Sequence, residues 1–206
     1  MPSRYRLRYI FRPLITVLSK GLSKIGITPN LATIFMLCFA FLSFIYLAFF
    51  RNLLIFSILV FTTGIMDGCD GAIARLTGKL KKIGGFFDSV MDRISEFLIF
   101  LGLIIFNWNN YLWNYIDMKL ILFISYLISF MISYCRARVE VFFKGDFDIG
   151  LMARSERLFY IFITMLFAFF YGFTAEFLFI YMWLVIGTYL YRVKKISLQI
   201  KKVENE

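Results

Sequence analysis

Six long apolar stretches govern what this chain can fold into. They cover about residues 31–50, 52–78, 85–107, 119–143, 154–173 and 175–195 of a 206-residue sequence that is 61% hydrophobic. A helix of roughly 20 residues crosses a hydrocarbon core of about 30 Å. Lipid offers the backbone no hydrogen-bond partners, so a spanning segment must satisfy its own N–H and C=O groups as a helix. The sequence therefore predicts an all-α integral membrane protein with six transmembrane helices. No repeat, low-complexity tract or linker divides it, and a single domain over 1–206 is expected.

Ahead of the first stretch, residues 4–24 mix Arg4, Arg6, Arg8, Arg12, Lys20 and Lys24 with Ile10, Phe11, Leu14, Ile15, Val17 and Leu18. That mixture predicts an N-terminal amphipathic juxtamembrane helix, with a plain basic flank as the alternative. The run Tyr9 to Ile15 contains Arg12 and Pro13 and is too broken for a signal-peptide core, so the first span is expected to act as its own insertion signal. Ile27-Thr28-Pro29-Asn30 reads as the start of that span.

The net charge of +10 would be compatible with nucleic-acid binding, but the placement of the charges argues otherwise. With six spans, all 23 Lys and Arg except Arg51 and Lys119 fall on one side. This is the positive-inside pattern, which puts both termini and the active site in the cytoplasm of a multi-pass protein of the cell membrane. No nucleic-acid partner is expected, and some of the charge should meet anionic lipid. Cys38, Cys69 and Cys135 have no metal-ligand spacing and read as packing residues. The loops at 51–52 and 173–175 are short enough to make the spans they join antiparallel neighbours. The segment from Asn107 to Tyr115 reads as an aromatic and amide-rich interfacial loop.

Against this apolar background stand four acids, Asp67, Asp70, Asp88 and Asp92. An ionised Asp near a bilayer centre costs roughly 2.5 to 3.5 kcal/mol on insertion scales, so four of them need a shared counter-charge. Asp67 and Asp70 are three apart, and Asp88 and Asp92 four apart, which puts each pair on one helix face. Two such faces opposed across a hairpin would gather hard oxygen ligands. The chain has no histidine, and the ligand set favours Mg²⁺, Mn²⁺ or Ca²⁺ over zinc. Gly71, Ala74 and Gly84 leave room for a helix or substrate to approach, and Arg75 adds a cation suited to a phosphate.

The pattern Asp67-x2-Asp70-Gly71-x2-Ala74-Arg75-x8-Gly84-x3-Asp88-x3-Asp92 resembles the CDP-alcohol phosphotransferase family at every motif position. The resemblance implies a dimeric six-helix membrane enzyme, dependent on Mg²⁺ or Mn²⁺, that moves a substituted phosphoryl group from a CDP-linked lipid to an alcohol and releases CMP. It implies that Asp67, Asp70 and Asp88 hold metal, and that Asp92, at the same metal-bearing cluster, is the general base. It also implies that Gly71, Ala74, Arg75 and Gly84 line the nucleotide and diphosphate site with Asp67 and Asp70. Pro29, Asn30 and Thr33 resemble the family segment near the cytidine, or serve only as a helix start.

Five arginines near the ends of the last three spans, Arg136, Arg138, Arg154, Arg157 and Arg192, point to the acceptor. A neutral alcohol such as serine gives them no dianion to bind, whereas a phosphorylated alcohol does, and guanidinium forks match phosphate oxygens. The alternative is positive-inside charge paired with Glu140 and Glu156. The segments Ser133 to Glu140 and Ala153 to Leu158 resemble the family branch that makes phosphatidylinositol phosphate or its archaeal ether-lipid counterpart from inositol 1-phosphate. Ala153 departs from that branch, which has Glu there, and Arg136 stands at a basic position that is often Lys. The resemblance places the five arginines around the acceptor phosphate. The donor is then CDP-diacylglycerol or CDP-archaeol, with an Ile-, Phe-, Lys- and Tyr-rich composition tilting toward the latter. Glycerol 3-phosphate is the alternative acceptor. A cation channel or transporter is the alternative of another class, and Arg75 argues against it by repelling a transported cation.

Overall fold

The computed structural model describes residues 7–142 and 150–204, so Arg4 and Arg6 lie outside the described residues, as does residue 143 at the expected end of the fourth span. The described residues begin with two helices, α1 (Leu7–Ile10) and α2 (Arg12–Lys24). Four longer ones follow in order: α3 (Pro29–Ala48), α4 (Leu53–Leu76), α5 (Lys82–Phe106) and α6 (Met118–Phe142). The last two are α7 (Arg154–Tyr171) and α8 (Thr174–Glu204).

Local chemistry sets several of these boundaries. Thr28 caps α3 by accepting from Leu31 N at 3.3 Å, and Pro29 follows at a position where its missing N–H is not needed. Asn52 caps α4 in the same way, from Ile55 N at 3.0 Å. The expected aromatic loop contains a small hairpin, with β1 (Tyr111–Leu112) antiparallel to β2 (Ile116–Asp117). Trp113 and Asn114 turn it with positive φ. The last helix continues well past residue 195, to Glu204.

Among the described residues, four helices are long and apolar enough to cross a membrane: α3, α4, α6 and, over Thr174–Lys201, α8. The other two expected spans, α5 and α7, form at the expected places but carry too many charges for that description. Lys82, Asp88, Asp92, Arg93 and Glu96 lie on α5, and Arg154, Glu156 and Arg157 on α7. Outward-facing Phe41, Ile58, Phe123, Phe130, Phe170 and Leu190 make a surface that suits lipid rather than water. The core is built from Leu47, Phe56, Ile99, Phe100, Leu103 and Tyr181, among others. Buried Ser57, Thr63 and Ser125 donate to carbonyls one turn back and so leave no hydroxyl unpaired.

α3, α4 and α5 pack closely together, α7 lies against α4, and α8 against α6. Although a two-residue turn at Gly172 and Phe173, both with positive φ, joins α7 to α8, these two helices touch little. α2 lies on α4, where a methyl built on Gly68 would come within 2.6 Å of Ile15 Cδ1, so glycine is what permits the approach. Ile10, Leu14, Val17 and Leu18 stay exposed beside the basic Arg12 and Lys20. Arg51 and Lys119 sit at the same end as the hairpin, with Arg51 donating to Phe106 O at 3.0 Å and Lys119 paired to Asp117 at 3.2 Å.

Candidate active site

Near the end of the bundle opposite the hairpin, α4 and α5 bring the acids together. Carboxylate oxygens of Asp67, Asp88 and Asp92 lie within 4.8 Å of one another. Asp70, one turn on from Asp67, is turned toward α3, where it accepts from the Thr33 hydroxyl at 2.9 Å and from its neighbour Gly71 N. Its carboxylate also lies within hydrogen-bond reach of that of Asp88, so it stands at the edge of the three-carboxylate group. The four acids gather at one place, three with oxygens within 4.8 Å of one another and Asp70 beside Asp88, anchored by Thr33.

The donor set suits a hard divalent cation: three carboxylates and no nitrogen or sulfur ligand. Asp88 Oδ1 and Asp92 Oδ1 are buried without a hydrogen-bond partner. Asp92 Oδ1 does lie 2.5 Å from Arg154 Nη1, an ion pair without hydrogen-bond alignment. Buried, incompletely satisfied carboxylate oxygens converging on one point are what such an ion requires. Asp67, Asp88 and Asp92 could hold it.

Arg154, at the start of α7, pairs with two of these acids. Its guanidinium pairs with Asp67, 87 residues earlier in the chain, and with Asp92, and it donates to Ser95 Oγ at 2.9 Å. These partners come from α4 and α5, so nothing near residue 154 in the sequence reveals them. Arg157, one turn on, is 1% exposed and forms a two-pronged bond to Glu96, with Nε to Oε1 at 2.7 Å and Nη2 to Oε2 at 2.9 Å. It also donates to Ser133 Oγ and Met152 O. Glu96 was not singled out in the sequence. The available signal was its place one turn beyond Asp92, matching the step from Arg154 to Arg157.

A cavity of about 390 Å³ opens beside these groups. Asp67, Asp88, Asp92, Arg136, Arg154, Arg157 and Arg192 are in its wall, and Phe11, Ile15, Phe61, Ile65 and Phe159 form an apolar side. Arg192, 1% exposed, donates to Ile132 O at 2.9 Å, and Arg136 pairs with Glu140 at 2.8 Å, as the alternative reading of that residue anticipated. Arg138 is exposed, stacks 4.7 Å from the Phe142 ring and does not line the cavity.

On the far side of the carboxylates, the other motif positions cluster. Thr33 reaches Asp70, and a methyl built on Gly84 would sit 3.6 Å from Asn30 Oδ1, so α3 and α5 meet at Asn30 and Gly84. The same construction at Gly71 meets Arg75 Nη1 at 3.4 Å, on an exposed last turn of α4 that also carries Ala74. Pro29 opens α3 beside them.

Known proteins resemble this chain in sequence and in fold. The CDP-alcohol phosphatidyltransferase family profile matches residues 26–191. The archaetidylinositol phosphate synthase of Pyrococcus horikoshii is 35% identical over 150 residues, 73% of this chain and 75% of that protein. The phosphatidylinositol phosphate synthase of Mycobacteroides abscessus is 30% identical over 152 residues, 73% of this chain and 67% of that one. The fold matches the crystal structure of Mycobacterium tuberculosis phosphatidylinositol phosphate synthase in complex with manganese and citrate, with a TM-score of 0.76 at 24% identity over 89% of this chain and 88% of that one. A second structure of that synthase, with CDP-DAG bound, gives a TM-score of 0.73, again over 89% of this chain and over 94% of that one. With the profile matched across most of its length, the chain belongs to the CDP-alcohol phosphatidyltransferase family.

Proposed function

We propose that this chain is a membrane transferase that moves a phosphatidyl-type group, diacyl or archaeol, from a CDP-lipid to inositol 1-phosphate and releases CMP. The observation that carries the reading is the convergence of Asp67, Asp88 and Asp92 on a cavity whose wall also holds Arg136, Arg154, Arg157 and Arg192. Carboxylates suit a metal-bound diphosphate, and arginines suit a second phosphate on the acceptor. The similarity to synthases of archaetidylinositol phosphate and phosphatidylinositol phosphate supports the same acceptor.

Asp67, Asp70 and Asp88, with Asp92, form the acidic site for Mg²⁺ or Mn²⁺, three of them converging directly and Asp70 held by Thr33. A bound divalent cation would offset charge on the diphosphate and on the departing CMP. Pro29, Asn30, Thr33, Gly71, Ala74, Arg75 and Gly84 form the nucleotide side, where small residues let the ligand approach the backbone. The apolar side of the cavity offers a path for lipid chains. Arg136, Arg154 and Arg192 are the acceptor-phosphate cations, with Arg157 completing the wall, while Arg138, the fifth expected, stacks on Phe142 outside the cavity. In the reaction the acceptor oxygen attacks the lipid-side phosphorus, the bond from that phosphorus to the CMP oxygen breaks, and Asp92 takes the acceptor's proton.

The whole chain, 1–206, works as one domain with six crossing helices. α5 and α7 can cross despite their charges because Arg154 pairs with Asp92 and Arg157 with Glu96 inside the bundle. The concentration of Lys and Arg at the active-site end supports a cytoplasmic site and termini, with the N-terminal helices lying at the membrane surface. The enzyme acts as a homodimer, as the family resemblance implies.

The test is CMP release by purified protein with Mg²⁺ or Mn²⁺, CDP-archaeol or CDP-diacylglycerol, and a panel of inositol 1-phosphate, glycerol 3-phosphate and serine. Release with inositol 1-phosphate above the other two is expected. Preference for glycerol 3-phosphate would move the acceptor assignment, and no release with any acceptor would overturn the enzyme reading.

A further inference from the structure

Two arginine rungs join α5 to α7. α7 packs mainly on α4, so α5 and α7 meet chiefly through long side chains. The first rung pairs Arg154 with Asp92 and lies open to the cavity. The second pairs Arg157 with Glu96, which are 1% and 4% exposed. On α5 the acids are four apart, and on α7 the arginines are three apart, so the rungs stack one turn above the other.

Their chemistry differs. In the second rung both Glu96 oxygens are occupied, and Arg157 further binds Ser133 of α6 and Met152 O in the segment leading into α7. That segment is tied in turn to α8, where Met152 N donates to Thr188 Oγ1 at 3.3 Å. With its Nε, Nη1 and Nη2 all engaged, Arg157 is a poor candidate to turn toward an incoming phosphate. The first rung is incomplete: Arg154 Nε and Asp92 Oδ1 have no hydrogen-bond partner. One rung is closed and the other is exchangeable.

We infer that Glu96 is a positioning residue: by clamping Arg157 it fixes the register of α7 on α5 and so presents Arg154 to Asp67 and Asp92 at the cavity. Glu96 touches no reacting atom. It fixes where the exchangeable guanidinium stands between the metal-binding carboxylates and the acceptor phosphate. This inference rests on the transferase reading for the identity of the acceptor, but not for the placement of Arg154.

The experiment uses the full chain in detergent. Glu96→Gln breaks the clamp and leaves a buried, unpaired Arg157. Glu96→Leu with Arg157→Met removes both charges and keeps apolar volume, an exchange that buried pairs often tolerate without loss of stability. Each is made with and without Arg154→Gln. Mn²⁺ affinity is read by electron paramagnetic resonance, and KM is read for inositol 1-phosphate and for CDP-lipid.

If Glu96 acts through Arg154, the Leu/Met pair folds, and Mn²⁺ binds several-fold tighter, as in Arg154→Gln alone. The acceptor KM then rises about tenfold while the donor KM stays within about twofold, and adding Arg154→Gln changes neither further. Unchanged Mn²⁺ affinity and acceptor KM in the folded pair, or effects that simply add to those of Arg154→Gln, would overturn the inference. Should the pair fail to fold, Glu96→Gln is judged by the same criteria. If the wild type releases no CMP with any acceptor, the transferase reading falls, and the Mn²⁺ titration alone decides the positioning role.

Discussion

The two halves of the site are built on different principles. On the nucleotide side, α3, α4 and α5 are consecutive, tightly packed helices, and the polar contacts run between motif positions: Thr33 to Asp70, Asn30 beside Gly84. On the acceptor side the arginines come from α6, α7 and α8, and each is held differently. Arg154 bridges two catalytic-site acids, Arg157 is locked to Glu96, Arg192 holds a carbonyl, and Arg138 stacks on a ring at the surface. The contrast teaches that a compact motif defines a chemical step, whereas a spread set of like residues must be sorted by what each one touches. On the proposed function, the compact half would handle the donor and the spread half the acceptor.

Asp92 belongs to both halves, and its loss should do the most damage. Asp92→Asn should lower CMP release by about 10²- to 10⁴-fold, the range for losing a general base, while Mn²⁺ still binds. Near-normal turnover in that variant would remove the base assignment. Arg154→Gln should come next, raising the acceptor KM by about tenfold or more through loss of a charge-assisted contact and changing the donor KM less. The reverse order would place Arg154 on the donor side and erase the contrast between the halves.

The smaller effects sharpen the comparison. Thr33→Val removes one hydroxyl from Asp70, worth about 1 kcal/mol, and should raise the donor KM about fivefold with the acceptor KM unmoved. Steady-state kinetics with each substrate varied in turn would show it. Arg138→Gln should have the smallest effect, below that of Arg154→Gln on the acceptor KM, because its guanidinium lies at the surface against Phe142. An equal effect would bring Arg138 into the pocket and mean that α6 moves when the acceptor binds.

Much of the geometry of α3, α4 and α5 is legible in the sequence because its information is local. Spacings of three and four predict which acids share a helix face, the short 51–52 loop predicts that α3 and α4 pair, and Thr28-Pro29 marks where α3 starts. What spacing alone cannot give is which way each side chain turns: Asp70 is tied to Thr33 of α3 while its carboxylate stays beside that of Asp88. The acceptor side was legible only as a count of arginines. Pairing Arg157 with Glu96 requires knowing that α5 and α7 come together there, at positions 61 apart in the chain. The sequence also concealed the hairpin at 111–117, because its aromatic and amide residues suit a membrane interface as well as a strand.

Transfer to a phosphorylated acceptor is tested most directly by following the acceptor itself. Protein, Mn²⁺, CDP-lipid and inositol 1-phosphate labelled at its phosphate are incubated, and the organic phase is counted against CMP released. Label should enter the lipid phase mole for mole with CMP and only when the metal is present. CMP released while the label stays in the aqueous phase would mean that water, not the phosphorylated alcohol, attacks the lipid, and would contradict the assignment of the arginine-lined cavity as the acceptor pocket.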